Sequence, residues 1–203
     1  YRDYKNAPQA VERLNISGIQ DLSGQQLSGV PKFTYTLGAD ASTPVARTSD
    51  EVAMLAQQAS GVAQLQARIS VCRACPRLVQ WRESVARDGH RAAFADQPYW
   101  GRPAPAFGDP EAEVLLVGLA PAANGTNRTG RLFTGDPSGD FLFAALHRTG
   151  WASQPTSVSA GDGQQLRGLR MLASVRCAPP QNKPTRDELS TCAGWLRRDL
   201  ELA

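Results

Sequence analysis

The feature that most constrains the fold is an unbroken apolar run that ends at a glycine and is followed by a loop and a helical pattern. Residues 114–117 (VLLV) contain no polar side chain, which is typical of a strand buried on both faces. After the loop that begins at Gly118, apolar residues of segment 140–150 recur at helical spacing until Gly150. A strand, a loop and a helix in this order predict one unit of an α/β layer.

A second unit of the same kind follows. Residues 169–175 (LRMLASV) are predicted to form a second buried strand, and Thr185 and Glu188 have the spacing of a capping box that opens a helix running toward residue 203. Strands that alternate with helices in this way are typical of an α/β fold with a mainly parallel sheet.

The composition changes along the chain, and this change predicts three regions. Residues 1–42 are a polar, turn-rich extension with one alternating strand at 33–37, and residues 43–64 are a linker leading into a helix. The main domain is expected to span residues 65–203. The phrase DLSGQQLSGVPKFTYTLGADAS in the extension resembles hairpins of TonB-dependent outer-membrane receptors, although a membrane barrel needs about eight strands or more to close. The net charge of +3 arises after residue 70, and arginine, which suits phosphate contacts, greatly outnumbers lysine.

Four cysteines are candidates for a metal centre. Cys72 and Cys75 form a C-x2-C pair, and Cys177 and Cys192 follow about a hundred residues later. Two thiolates from a tight turn and two from a distant segment can complete a ligand set for an iron–sulfur cluster or for zinc. A zinc ribbon would usually have a second tight pair. Unrelated thiols or disulfides remain alternatives at this point.

The loop after the first strand, GLAPAANGTNRTGRLFTGDPSGD, combines residues that suit a nucleotide site. It begins at Gly118, at the strand end where ligands collect in open α/β sheets. Arg128 and Arg131 can contact phosphates, Phe133 offers a stacking face, and Asp136 places a carboxylate beside a helix start. Each has a structural alternative: Asp136 can be a helix cap, Phe133 a core residue, and the arginines solvated.

Four segments of residues 65–203 together resemble a known family. They are CRACPRLVQWRE, YWGRPAPAFGDP, the loop from Gly118 and VRCAPPQNKPTRDE, and in this order they are similar to the type 5 uracil-DNA glycosylases, the iron–sulfur members of the uracil-DNA glycosylase superfamily. The resemblance implies a three-layer α/β/α sandwich, here incomplete at its C-terminal end. It also implies a [4Fe–4S] cluster held by Cys72, Cys75, Cys177 and Cys192. The implied reaction is hydrolysis of the N-glycosidic bond of uracil in DNA, by a cytoplasmic, nucleoid-associated bacterial monomer whose core domain contacts no membrane.

The resemblance also implies roles for single residues. Asp136 matches the catalytic carboxylate, Phe133 matches the residue that stacks on the flipped base, and Arg128 and Arg131 are expected to hold the DNA backbone. Asn182 matches an active-site asparagine, with a turn-stabilising role as the alternative. The remaining residues expected to line the base pocket are Gly118, Ala120, Pro121, Ala122 and Asn124.

Two departures from the family pattern bear on activity. Asn124 stands where the family usually has histidine. A later family motif, whose histidine contacts the base, is expected beyond residue 203. His90 and His147 do not belong to that motif and are expected at the surface. The sequence is therefore consistent with a catalytic glycosylase, acting on uracil alone or on other deaminated bases too. It is also consistent with a non-catalytic iron–sulfur DNA-binding fragment.

Overall fold

The computed structural model of the chain describes residues 39–40 and 42–203. The predicted strand at 33–37, and with it nearly all of the extension 1–42, lies outside the described residues. The described helices and strands are α1 Ser49–Gln57, α2 Val62–Ser70, α3 Pro76–Asp88, β1 Phe107–Gly108, β2 Val114–Gly118, α4 Thr126–Thr129, α5 Pro137–Arg148, β3 Leu169–Ala173 and α6 Arg186–Glu201, with short 3-10 turns at Ala92–Phe94 and Pro180–Asn182.

The described strands form one small sheet in the order β1-β3-β2. β2 and β3 are parallel, with Val114 beside Leu169 and Gly118 beside Ala173, whereas the two-residue strand β1 pairs with β3 in antiparallel orientation. Both predicted strands therefore occur, although the second ends at Ala173 rather than at residue 175. The prediction that the first is buried on both faces is wrong for this sheet, because β2 lies at its edge and leaves Val114 and Val117 exposed.

Helices cover both faces of β3, which confirms the α/β architecture. Leu169, Met171 and Ala173 point to one face, where they belong to a buried cluster with Phe143 of α5. Arg170 points to the other face and donates to Asp199 of α6 at 2.8 Å. The alternation of side chains along a strand thus places α5 and α6 on opposite sides of the sheet.

The second buried cluster extends the core upstream of residue 65. Val52, Leu55 and Ala59 pack with Val175 and Trp195, and α1 lies against α6. Residues 46–59 are thus part of the packed structure, so the region expected to be a linker contributes to the core. Sequence reasoning set the boundary too late because α1 is short and rich in alanine, with weak apolar periodicity.

Helix ends follow the sequence signals closely. The Thr185 hydroxyl accepts from Glu188 N–H and the Glu188 carboxylate accepts from Thr185 N–H, so the predicted capping box opens α6. α5 ends at Arg148, just before Gly150, whose φ of 84° is in the left-handed region that favours glycine. None of the helices in the described part of the chain is long and apolar enough to cross a membrane.

Candidate active site and cysteine centre

Phe133 packs against the end of β2. A Cβ atom placed on Gly118 would lie 2.9 Å from Cζ of the Phe133 ring, so the ring approaches the strand end as closely as a glycine permits. Phe133 itself has a φ of 51°, which is uncommon for a residue with a side chain. Backbone strain of this kind persists where the surroundings hold it, and it occurs often at binding sites.

Asp136 caps helix α5 with only one of its carboxylate oxygens. Oδ1 accepts from the Gly139 N–H at 3.0 Å, which makes Asp136 the N-cap. Oδ2 lies against Gly125, where any side chain would overlap it, and makes no hydrogen bond within the described residues. The two sequence interpretations of Asp136 are therefore compatible, because the cap fixes the carboxylate while one oxygen stays available to a ligand.

Asn124 is oriented by a residue that the sequence analysis did not select. The Tyr99 hydroxyl donates to Asn124 Oδ1 at 2.8 Å, and the Tyr99 ring stacks on His90 with a centroid separation of 4.0 Å. This contact leaves the Asn124 amide NH2 as the group that can donate to a ligand. Tyr99 lies in the YWGRP segment that carries the family resemblance, which was the available signal. His90 is half-buried in this stack rather than fully at the surface, whereas His147 is exposed as expected.

Arg128 holds the loop together through three hydrogen bonds. Its Nε donates to Asn124 O at 2.8 Å, Nη2 to Gly135 O at 3.0 Å, and Nη1 to Gln97 Oε1 at 2.7 Å. The guanidinium also lies 4.0 Å from the centre of the Phe94 ring. Burial lowers the pKa of Arg128. These contacts join both ends of the loop to the segment 94–97.

Arg131 is buried, and this placement corrects its predicted contact with DNA. Its Nη2 donates to Ser157 Oγ at 2.6 Å and to the Asp162 carboxylate at 2.7 Å, and its guanidinium lies 4.8 Å from the centre of the Phe107 ring. The side chain is 1% exposed, so a phosphate cannot reach the guanidinium without displacing Asp162. Arg131 is a core ion pair instead.

The other predicted pocket residues lie in the same loop, with one exception. Ala120 packs against the hydrophobic cluster that contains the cysteines. Pro121 is buried, and the backbone carbonyl of Ala122 accepts from the Asn127 N–H at 3.0 Å. Asn182 lies in the turn after β3, where it is exposed and has a left-handed φ of 58°. Its side chain makes no hydrogen bond within the described residues, so its place in the site stays a prediction.

All four cysteines line one cavity, although they come from four places in the chain. Cys72 follows α2, Cys75 is the N-cap of α3, Cys177 follows β3, and Cys192 lies on α6. None of them forms a disulfide. The rest of the cavity wall is mostly apolar and includes Val52, Leu78, Val79, Val175 and Trp195.

The four cysteines around this cavity could serve as the ligands of an iron–sulfur cluster. No three His, Cys, Asp or Glu side chains within residues 42–203 converge closely enough to hold one metal ion. Four thiols around a common apolar space suit a cluster whose iron atoms each take one thiolate. Burial raises the pKa of all four thiols, to about 12 at Cys75 and about 11 at Cys177. The thiols are therefore protonated at neutral pH unless a metal displaces the protons.

Helix α3 connects the cysteine cavity to the loop of residues 118–136. Nη1 of Arg82 lies 3.5 Å from Cys177 Sγ, and Nη2 donates to the backbone carbonyl of Cys72 at 3.2 Å. The backbone carbonyl of Arg82 accepts from Asn127 Nδ2 at 3.1 Å, and Asn127 lies in the loop. The two candidate sites are therefore joined through one residue of α3.

A comparison with protein families matches part of the chain. Residues 105–203 fit the model of the uracil DNA glycosylase superfamily. This range contains the loop of residues 118–136, both strands of the parallel pair and two of the four cysteines.

Curated relatives are similar over a longer stretch. The chain is 58% identical over 149 residues to a type-5 uracil-DNA glycosylase of Mycobacterium leprae, covering 73% of this chain and 65% of the relative. It is 56% identical over 134 residues to the type-5 uracil-DNA glycosylase of Thermus thermophilus, covering 66% of this chain and 60% of the relative. It is 48% identical to the type-5 uracil-DNA glycosylase of Pyrobaculum aerophilum over 66% of this chain and 58% of the relative. The chain thus spans less than two thirds of the length of these relatives.

Proposed function

Because residues 105–203 match the model of the uracil DNA glycosylase superfamily, we propose that the chain hydrolyses the N-glycosidic bond of uracil in DNA. The observation that carries this proposal is the pairing of Phe133 and Asp136 across one loop, with an aromatic ring at the strand end and a carboxylate oxygen that makes no hydrogen bond within the described residues. The names of the similar type-5 enzymes support the same reaction. The reaction would begin base excision repair of deaminated cytosine.

The carboxylate of Asp136 suits the charge that develops during this reaction. Breaking the bond between sugar and base leaves positive charge on the sugar and negative charge on the departing base. A fixed carboxylate near the sugar stabilises the cation and positions the attacking water. The cap contact from Gly139 holds Oδ1, so Oδ2 is the oxygen that would face the sugar and the water.

The loop offers a matching place for the extruded base. A glycosylase must take its target base out of the helical stack and hold it by stacking and by a few hydrogen bonds. The Phe133 ring would provide the stacking face, and the Asn124 amide, fixed by Tyr99, would donate to an edge of the ring. Gly118, Ala120, Pro121 and Ala122 would complete the pocket wall, and Asn182 stays a predicted contact.

Cys72, Cys75, Cys177 and Cys192 would hold a [4Fe–4S] cluster. The thiol ligand set and the apolar lining support this cofactor. When bound, the cluster would supply iron–thiolate cross-links between α3, α6 and the end of β3, with no redox turnover in the reaction. Arg128 would keep the DNA-facing loop closed on itself, and its own contact with a phosphate remains part of the proposal.

The test of the proposal separates the charge of Asp136 from its capping role. Asn caps a helix about as well as Asp but carries no charge. We expect Asp136→Asn to keep the wild-type melting temperature and to release uracil from a labelled single-lesion duplex about 100-fold more slowly, or worse. Asp140→Asn removes an exposed carboxylate one turn along α5 and should change neither property.

Three outcomes of this assay bear on the alternatives. Equal rates for wild type and Asp136→Asn would contradict the assigned role of Asp136. Salt-dependent binding to the duplex without release of uracil by the wild type would favour a non-catalytic DNA-binding protein. Duplexes that carry hypoxanthine or xanthine, run in parallel, show whether other deaminated bases are accepted.

Two further experiments test the oligomeric state and the location. Sedimentation of the purified chain tests whether it is a monomer. Fractionation of cells tests the cytoplasmic, nucleoid-associated location.

A further inference from the structure

Arg82 is a buried cation whose contacts point toward the cysteine cavity. Its side chain is 2% exposed, and its Nη1 and Nη2 lie near Cys177 Sγ and the Cys72 carbonyl. Both neighbours belong to the predicted cluster ligands. A guanidinium with so little access to water is costly unless opposite charge compensates it.

The carboxylate nearest to Arg82 does not provide that compensation alone. Glu83 lies 3.7 Å from Nη2 of Arg82, but its two oxygens accept from Arg73 at 2.5 and 3.2 Å. The Nε atom of Arg82 has no hydrogen-bond partner within the described residues. Arg102 adds a further positive charge close enough to interact with Arg82 electrostatically, and burial lowers the pKa of Arg102. Positive charge is therefore in excess on this side of the cavity.

We propose that Arg82 is the internal counter-ion of the cluster. We also propose that it is the positioning residue that joins the cluster to the loop of residues 118–136, which would bind the base. This inference rests on the proposed [4Fe–4S] cofactor. Four thiolates carry more negative charge than the iron–sulfur core neutralises, so a loaded centre is anionic. Its charge would balance the guanidinium that Glu83 leaves only partly compensated.

The same residue gives the cluster a mechanical route to the loop. The backbone carbonyl of Arg82 accepts from Asn127 Nδ2, and Asn127 is 1% exposed within the loop of residues 118–136. A side chain anchored to the centre therefore fixes the part of α3 on which the loop rests. Arg82 would act through these neighbours and touches neither the base nor the sugar.

The test compares charge and shape at position 82. Wild type, Arg82→Lys and Arg82→Gln are purified anaerobically, and iron, sulfide and the midpoint potential of the cluster are measured for each. A nearby positive charge favours the reduced cluster, which is the more negative state, so Arg82→Gln should lower the potential while Arg82→Lys stays near wild type. Arg68→Gln is the matched control, because Arg68 is also buried but donates to the Leu55 carbonyl rather than to the centre.

Each result decides the matter. A lower potential in Arg82→Gln alone supports the proposal, and so does loss of iron in Arg82→Gln with iron retained in Arg82→Lys. Unchanged iron and potential in Arg82→Gln, an equal change in Arg68→Gln, or equal losses in both Arg82 variants would overturn it. A wild-type chain without iron would remove the cluster and this role of Arg82 together, whereas uracil release, assayed separately, tests the glycosylase function on its own.

Discussion

The guanidinium of Arg131 stabilises the interior because its charge is fully paired there. It contacts the Asp162 carboxylate, the Ser157 hydroxyl and the Thr134 hydroxyl, and Asp162 also accepts from the backbone N–H groups of Val158 and Gln164. Burial alone would raise the pKa of Asp162, but these hydrogen bonds outweigh it and hold the pKa below its ordinary value. The pair therefore joins the loop of residues 118–136 to the segment 157–164.

Replacing Arg131 by methionine should destabilise the protein strongly, because it leaves Asp162 in a largely buried position without its cation. We expect the free energy of unfolding at pH 7 to fall by about 3 kcal/mol. Arg87→Met, which breaks an exposed pair with Asp88, should cost less than about 1 kcal/mol. Urea denaturation measures both. A loss at Arg131 no larger than that at Arg87 would contradict the buried pair.

The same ion pair predicts how stability depends on pH. Since the folded pKa of Asp162 lies below the ordinary value of 3.8, the stabilisation is fully present above pH 3.8 and is lost as the pH falls through the folded pKa. In Asp162→Asn this part of the acid dependence should be absent. Denaturation midpoints of both proteins across this range provide the measurement, and parallel curves would show that Asp162 contributes nothing to it.

Tyr99 should affect uracil release through Asn124 alone. Tyr99→Phe keeps the ring that stacks on His90 and removes the hydroxyl that donates to Asn124 Oδ1. A lost hydrogen bond of about 1 kcal/mol corresponds to a roughly 5-fold lower kcat/KM. In an Asn124→Ala background, Tyr99→Phe should have almost no further effect. An equal decrease in both backgrounds would show that Tyr99 acts by another route.

The role of a single residue can be predicted from the sequence when that role depends on residues close to it in the sequence. Asp136 as a helix cap and Thr185 with Glu188 as a capping box are local signals, and both are confirmed. Arg131 was assigned to the DNA surface because its partner, Asp162, is 31 residues away and no local pattern joins them. The contact of Tyr99 with Asn124 was not predicted for the same reason, because 25 residues separate the two.

Cys75 is the N-cap of helix α3, and Cys192 lies on helix α6. The two helices are joined near their N-terminal ends. The Glu188 carboxylate accepts from Arg77 Nε at 2.8 Å and from Nη2 at 2.7 Å, while it also closes the capping box with Thr185. Burial would raise the pKa of Glu188, but the contacts with Arg77 and Thr185 outweigh burial and hold the pKa below its ordinary value. One carboxylate thus sets both the start of α6 and its distance from α3.

Removing the cap of α6 should weaken the protein by a modest amount. In Thr185→Ala the Glu188 N–H loses its hydroxyl partner, so we expect the free energy of unfolding to fall by about 1 kcal/mol. Ser190→Ala, at an exposed position of the same helix, is the control and should change little. Thermal melting of the iron-loaded proteins would measure both. Equal melting temperatures for the two variants would contradict a stabilising cap.

Elements were predicted well where their apolar pattern is strong. The strands β2 and β3 and the helices α5 and α6 all occur near their expected positions. The exposure of β2 was not predicted, because an apolar run does not show whether a strand has one neighbour or two. The core role of α1 was missed because its contacts are with α6, more than a hundred residues further along the chain.

At the scale of the whole molecule, the two candidate sites lie on different hydrophobic clusters. The cysteines pack with α1, α2 and α6, whereas Phe133 packs with α5 and the sheet. The end of β2 and the turn after β3 are hydrogen-bonded, since Ser174 N–H and Val175 N–H donate to the carbonyls of Gly118 and Leu119. A change at the cysteine centre can therefore reach the loop of residues 118–136 through backbone contacts as well as through Arg82.

Removal of the cluster should destabilise the whole fold rather than one loop. Cys75 and Cys177 are separated by about 100 residues, and a cross-link that closes a loop of that length stabilises a protein by about 4.7 kcal/mol in the chain-entropy model. We expect anaerobic urea denaturation to show a loss of that order on chelation of the iron, and the same loss in Cys192→Ser if the cluster is released. A chain with all four cysteines changed to serine should be insensitive to added iron. Because the cysteines join elements from both ends of the described chain, all probes of unfolding should shift together, and a transition confined to the cysteine side would contradict a global role for the cluster.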